Sequence, residues 1–401
     1  MIITRDKISL CVICFYLFAV TFFLDGSIGI RTSRLLVLCI YCMLLLFDDA
    51  KFRITRHFVW EVALVVYSLF TSFFAYNLKL ARSGTTTLIV NTITLFCIVN
   101  LCMKFEKEYI AICTAKTVAI SAVFFGTWIY GRFGLLAFSG TRNIQTTELN
   151  ANIVGQHTAI GAVLAFYIIL RKERKRSHRI FYYIIFTLNI LYTVLSGSRK
   201  SLLYVAVPLL LYYVLISKSN YKRIIRILGS VVIFACLWMT IMIVPALYNT
   251  IGYRLDNLLK VLIGTGAGDD STSFRFLLIE WGIQWFRDRP IWGYGADNFR
   301  ALVGTHDTWA GPAGTYAHNN FLELLVDFGI IGTIIYYSLY VGILSKLRKI
   351  LHVRTDYSIL FMALFIAMWI CELGVVSYYE KFSQTLLAII WVILCGKKVS
   401  A

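Results

Sequence analysis

Apolar residues in this chain fall into long unbroken runs separated by short polar, mostly basic connections, and they almost nowhere alternate with polar ones. Hydrocarbon offers the backbone no hydrogen-bond partner, so an apolar run of about 17–25 residues is satisfied in lipid only as a helix or as part of a closed barrel. Barrel strands alternate; these runs do not, and the pattern predicts helices. Spans are predicted near 9–25, 35–47, 58–76, 84–103, 110–130, 152–170, 180–196, 201–216, 224–248, 319–345, 358–377 and 382–396. The chain is thus expected to be an all-α polytopic membrane protein of about twelve transmembrane helices. Nine of them fall in residues 1–248 and three in residues 319–401, with a hydrophilic segment at 249–318 that carries short helices.

Composition agrees with the pattern. Of 401 residues, 59% are hydrophobic and 15% charged, and the mean hydropathy is +0.74. A water-soluble core of this length could not bury that much apolar surface. The net charge of +18 does not call for nucleic acid, because its Lys and Arg collect in one set of loops. Tracts at Lys51-Phe52-Arg53 to Arg56, Arg171-Lys172-Glu173-Arg174-Lys175-Arg176, Lys218 to Arg226 and Lys346-Leu347-Arg348-Lys349 all fall on one side if every span is real. Cytoplasmic loops retain such an excess, which puts both termini inside and residues 249–318 outside. Residues 9–25 lack a small-x-small cleavage site at Phe22-Phe23-Leu24-Asp25-Gly26 and read as an uncleaved first helix. The ten cysteines lie almost wholly within spans and suggest neither a disulfide framework nor a metal pair. No self-similar halves of the kind common in transporters are visible.

The outer segment holds the candidate chemistry. Asp269-Asp270-Ser271-Thr272-Ser273 is a run of helix-capping residues, and the apolar positions 274, 277, 278, 281 and 285 that follow make one greasy face, expected to lie on the membrane surface with Arg275 opposite it. Arg289-Pro290 ends that helix and Gly293-Tyr294-Gly295 makes a tight turn. Gly264-Thr265-Gly266-Ala267-Gly268 has no Gly-Lys-Ser/Thr sequel and reads as a turn rather than a phosphate loop. Asp269 and Asp270 are more naturally helix caps than metal ligands, and neither a metal nor any other cofactor is invoked. The sharpest signal is Ala317-His318-Asn319-Asn320, where a histidine meets the start of a predicted span, with Gly329 and Gly332 further along. Asn319 or Asn320 can cap that helix, whose positive end favours a neutral, proton-accepting imidazole.

Three further elements stand in order with it: Ser196-Gly197-Ser198-Arg199-Lys200, Ser273-Phe274-Arg275, and Pro290-Ile291-Trp292-Gly293-Tyr294-Gly295. This order resembles the O-antigen ligase and polymerase family, although the first third of the chain matches by span pattern only. The resemblance implies a GT-C-like membrane fold and a glycan donor joined to undecaprenyl through a diphosphate. Transfer would take place outside the cytoplasm, at the bacterial inner membrane, without a metal. It also implies that Arg199 and Arg275 bind the diphosphate and that His318 stands near the acceptor hydroxyl. Guanidinium forks suit phosphate oxygens and a diphosphate leaving group, so the residue chemistry agrees.

Each of these residues has a plainer use: Arg199 as an interfacial anchor beside Lys200, Arg275 as a solvated helix face. Glu323 and Asp327 lie one helical turn apart after His318 and are expected to support it or to bind sugar hydroxyls. Lys79 and Arg82, before the fourth span, are candidates for added positive charge. Trp292, Tyr294, Trp309 and Tyr316 suit sugar rings, though aromatic residues also crowd membrane interfaces.

The expected activity is polymerisation of surface polysaccharide, O-antigen or capsule, from lipid-linked repeat units. One alternative is ligation of the glycan to lipid A core; the other, from a different class, is flipping of a lipid-linked oligosaccharide. Expected partners are the undecaprenyl-diphosphate glycan, its acceptor, membrane lipid, and chain-length-regulator and flippase proteins, with no nucleic acid.

Overall fold

The computed structural model describes residues 5–23, 27–46, 52–135, 137–138, 150–171, 176–245, 248–263, 270–305 and 315–396. Among them every regular element is helical. The helices are α1 (Arg5–Phe22), α2 (Ile28–Leu46), α3 (Arg56–Ser72), α4 (Leu78–Cys102), α5 (Lys107–Phe133), α6 (Ala151–Leu170), α7 (Arg176–Leu195), α8 (Arg199–Leu215) and α9 (Asn220–Ile243). A π-turn at Tyr248–Gly252 leads into α10 (Tyr253–Ile263), α11 (Asp270–Asp288), α12 (Phe299–Val303), α13 (Asn320–Leu344), α14 (Leu347–Val353), α15 (Asp356–Cys371) and α16 (Lys381–Cys395). Each of the twelve predicted spans coincides with a helix. Among the described residues six apolar stretches are long enough to cross a membrane: α2, α4, α5, α6, α7 and the run Asn320–Val353.

α6 is the most enclosed of these and runs through the centre, with Val154, Ile160, Val163 and Tyr167 fully buried. Small residues bring its neighbours close: a side chain at Gly161 would meet Ala122 of α5 and Asn189 of α7, the kind of contact that packs helices where lipid supplies no hydrophobic drive. Gly155 does the same for the start of α8, because a Cβ there would run into Ser196 and Ser201.

The span expected over 319–345 is not one helix. Gly329 has φ 63° and ψ −167°, which no helix contains. In an unbroken helix residues 320 and 337 stand about 25 Å apart. Here Asn320 Nδ2 donates to the Tyr337 hydroxyl at 3.2 Å, and Phe321 stacks on Tyr337 with ring centroids 4.7 Å apart. The chain therefore doubles back at Gly329, so that residues 320–328 form a half-helix lying beside 330–344. The second piece runs antiparallel to α3: Tyr67 donates to Phe328 O (2.9 Å), and Trp60 Nε1 to the carbonyls of Ile335 (2.9 Å) and Tyr336 (3.0 Å).

The break frees backbone groups, and the 290–295 turn takes them up. Tyr294 N donates to Val326 O at 2.9 Å, Gly295 N to Asp327 O at 2.8 Å, and Ile330 N to Pro290 O at 2.8 Å. Gly293 and Gly295 reach this geometry through φ values of 72° and 95°. A Cβ on Gly329 would strike the Ile291 backbone, and one on Gly293 the Asp327 backbone. Gly332, expected to allow close approach of another helix, does so: a Cβ there would meet Tyr67 of α3 as well as Phe328.

The greasy face of α11 packs in large part on protein: Leu278 and Trp285 are buried against Leu322, Val326, Tyr294 and Phe299, with Phe274 and Trp281 beside them, while Leu277 stays exposed. A side chain at Gly282 would meet Leu322, so α11 sits directly on the half-helix. The pattern recorded an apolar face correctly, but its partner is a half-helix that exists only because of the break.

Gly329→Ala is expected to destabilise the protein by about 3 kcal/mol or more, since φ/ψ strain alone costs about 1–3 kcal/mol and the backbone clash adds to it. Gly342→Ala in the same element faces open space and should be neutral or slightly stabilising, by up to about 1 kcal/mol. Thermal melting of the two variants in detergent checks this, and equal melting temperatures would contradict it.

Candidate active site

The half-helix begins with the residues singled out from the sequence. Asn319 is its N-cap, accepting from Leu322 N at 3.2 Å, while Asn320 is taken up by the 371–380 turn, where its Oδ1 accepts from Ser377 N (2.9 Å) and Tyr378 N (3.1 Å). His318 precedes the cap in a left-handed conformation, φ 54°, a region that few non-glycine residues adopt. Its ring packs on Tyr316, with centroids 4.2 Å apart.

Glu323 is fully buried and holds the approach to the histidine: its Oε2 accepts from Ala317 N, two residues before the cap, at 2.6 Å. Asp327 is turned elsewhere. It accepts from Asp297 N (2.9 Å), Phe299 N (2.8 Å) and the Tyr378 hydroxyl (2.7 Å), and so organises the turn before α12. The two carboxylates share a face, as their spacing required, but of the two only Glu323 borders the histidine segment.

Around Tyr316 the site closes. Asn150, the N-cap of α6, donates to its hydroxyl at 3.4 Å. Burial pushes the Tyr316 phenol up, Glu323 adds to that, and the guanidiniums of Arg275 and Arg300 oppose it. Arg275 of α11 thus lies within electrostatic range of the histidine's stacking partner. On its other side it acts on Lys200, as does Arg199. α8 is held there by Ser198 Oγ, which donates to Asn152 Oδ1 of α6 at 2.8 Å. Three separate stretches of chain are thereby related: Arg275 acts on Lys200, which Arg199 precedes, and on Tyr316, against which the His318 ring packs.

Residues 184–337 match the family model described as O-antigen ligase. The matched segment contains Arg199, Arg275, His318, Glu323 and Asp327, and bears out the resemblance to the O-antigen ligase and polymerase family. With the apolar helices this indicates a membrane protein similar to that family over the matched segment. No curated protein matches the chain.

Lys79 and Arg82 lie outside the matched segment, exposed on the first turns of α4. Trp292 is 46% exposed and stacks edge-on to Phe70. Tyr294 is buried, with the Arg289 guanidinium over its ring at 4.5 Å. Asp269, the glycine run 264–268 and Trp309 lie outside the described residues, as does the side chain of Asp270.

Sequence reading missed Arg300 and Tyr379. Arg300 Nε pairs with Asp297 Oδ1 at 3.1 Å, and its Nη2 donates to the Tyr379 hydroxyl at 3.2 Å; that hydroxyl in turn faces Glu323 Oε1 at 3.4 Å. Asp297 is itself in a left-handed conformation, φ 58°, and burial pushes its carboxyl up while Arg300 opposes this. The only sequence signal was an arginine shortly after the glycine turn, with a Tyr-Tyr pair 79 residues downstream that nothing in the pattern linked to it.

Tyr379→Phe should leave Arg300 and Glu323 each short of a buried partner, a loss of about 1–3 kcal/mol, read as a lower melting temperature. An unchanged melting temperature would mean that the hydroxyl bridge carries no stability.

Proposed function

We propose that this chain is a metal-independent membrane glycosyltransferase that takes an undecaprenyl-diphosphate-linked oligosaccharide as donor. In this reading it works on the outer face of the bacterial inner membrane and joins repeat units of a surface polysaccharide. The observation that carries the reading is the reach of Arg275, which acts on Lys200 beside Arg199 and on Tyr316 beside His318. This supports a site in which a cationic pole and a histidine act together.

The chemistry follows from that pairing. His318, neutral at the positive end of the half-helix, takes the proton of the acceptor hydroxyl as its oxygen attacks the anomeric carbon. The bond from that carbon to the diphosphate breaks, and the leaving lipid diphosphate departs as an anion stabilised by the forks of Arg199 and Arg275. The diphosphate needs no proton to leave. Glu323 fixes the backbone just before His318, which supports an orienting role for it. Tyr316 suits a sugar ring in the same space.

Polymerisation is the first reading: the acceptor is then a second lipid-linked repeat unit, and chain-length-regulator and flippase proteins are the natural partners. The description of the matched family as O-antigen ligase favours a second, in which the acceptor is lipid A core. Both use the same donor site.

Purified protein incubated with undecaprenyl-diphosphate repeat units alone should yield a ladder of products; product only on addition of lipid A core makes it a ligase, and no transfer in either case rejects the glycosyltransferase reading. His318→Ala should lower transfer by about 10²–10⁴-fold, and transfer at the wild-type rate would remove the histidine from the mechanism. Arg275→Lys keeps the charge and loses the fork, with an expected fall of roughly tenfold or more. Chelator should change nothing, whereas a loss restored by Mg²⁺ or Mn²⁺ would contradict the metal-independent step.

A further inference from the structure

The turn between α15 and α16, residues 371–380, lies outside the matched segment and touches both halves of the site. On one half it holds the histidine segment: Asn320 N donates to Glu372 O at 2.8 Å, and Asn320 Oδ1 accepts from Ser377 N and Tyr378 N. The turn is itself pinned by the Glu372 carboxylate, which is buried and accepts from the hydroxyls of Tyr336 (3.3 Å), Tyr337 (2.8 Å), Tyr340 and Ser377. On the other half it meets Lys200. Cys371 Sγ lies 3.9 Å from Lys200 O, and the lysine side chain runs over Gly374: a Cβ there would stand 2.7 Å from Lys200 Cε and 3.2 Å from Nζ.

Lys200 is therefore not a loose interfacial anchor snorkelling into water. Its side chain is laid across a glycine, directed by a turn that the same hydrogen bonds fix to the start of the half-helix; burial is the main influence on its ammonium and pushes it down to about 7, the guanidiniums of Arg275 and Arg199 add to that, and the Cys371 thiol opposes it. Cations brought together out of water repel one another, and an arrangement of this kind favours a multivalent anion between them.

We propose that Lys200 is a third cationic ligand of the lipid diphosphate, and that Gly374 is the residue that leaves room for its ammonium. The inference rests on the diphosphate reading of the site given above. Two planar guanidiniums engage phosphoryl oxygens in pairs; a compact ammonium with three rotatable donors can bridge oxygens of neighbouring phosphoryl groups that a fork does not span. The turn sets where this third charge stands relative to His318, so donor and base are located by one element.

The test is binding of undecaprenyl diphosphate, without glycan, to the purified full-length protein in detergent, alongside the KM for the lipid-linked donor. Lys200→Gln should weaken binding and raise KM by roughly ten- to hundredfold with an unchanged melting temperature, and Lys200→Arg should retain most of the binding. Gly374→Ala keeps the charge and displaces only the flexible end of the lysine; it should weaken binding in the same direction. Wild-type binding in Lys200→Gln, or in Gly374→Ala should Lys200→Gln fail to fold, overturns the inference and leaves the diphosphate site intact. If the wild-type protein itself binds no undecaprenyl diphosphate, the diphosphate reading fails and this inference with it.

Discussion

The site depends on one requirement of the backbone: where α13 breaks inside a mostly apolar bundle, every peptide group released must find another partner. The 290–295 turn meets it with Tyr294 N, Gly295 N and Pro290 O. Only glycine fits at 329 and 293, because each carries a positive φ and lies against the other segment's backbone. Break and turn are therefore one structure in two pieces, and neither is stable in this form alone. What the break produces is a half-helix whose N-terminus lies beside the middle of the second piece instead of at the far end of a long rod.

The remaining contacts of the site are consequences of that placement. Once residues 320–328 lie beside 330–344, Asn320 comes within reach of Tyr337 and of the turn 371–380, and α11 can dock its apolar face on Leu322 and Val326. Docking brings Arg275 within electrostatic reach of Tyr316 and Lys200. The same turn that supports the break leads into α12, which carries Arg300 towards Tyr379 and Glu323. Buried polar groups here are joined to one another: Glu323, Tyr379, Arg300 and Asp297 form one chain, and Glu372 with its tyrosines another. Such networks are costly when incomplete and rigid when complete, which suits a site that must hold its charges at fixed separations.

Much of this was legible in the sequence. Unbroken apolar runs located all twelve helical positions, because lipid permits few other structures. His318 could be picked out because it stands beside a helix start, Arg199 and Arg275 were singled out through the family resemblance, and the spacing of Glu323 and Asp327 put them on one face. The glycine-rich turn at 293–295 was legible for the same local reason. The break was not, since 319–345 reads as a single apolar span and Gly329 resembles a packing glycine such as Gly332. Nor was the partner of the apolar face of α11: an apolar face is local information, but the surface it packs against is not.

The sequence by itself therefore determined what is set by short-range rules: helix positions, the capping residue types, the fork-bearing arginines and the histidine at a helix start. Only the tertiary structure decided that the helix doubles back at Gly329, that Asn319 rather than Asn320 is the cap, and that Asp327 serves the 297–299 turn. It alone brought Arg300 to Tyr379 and laid Lys200 across Gly374. These are pairings between residues tens to hundreds of positions apart. They follow from where freed backbone groups and buried charges find partners in three dimensions, and no periodicity along the chain encodes that.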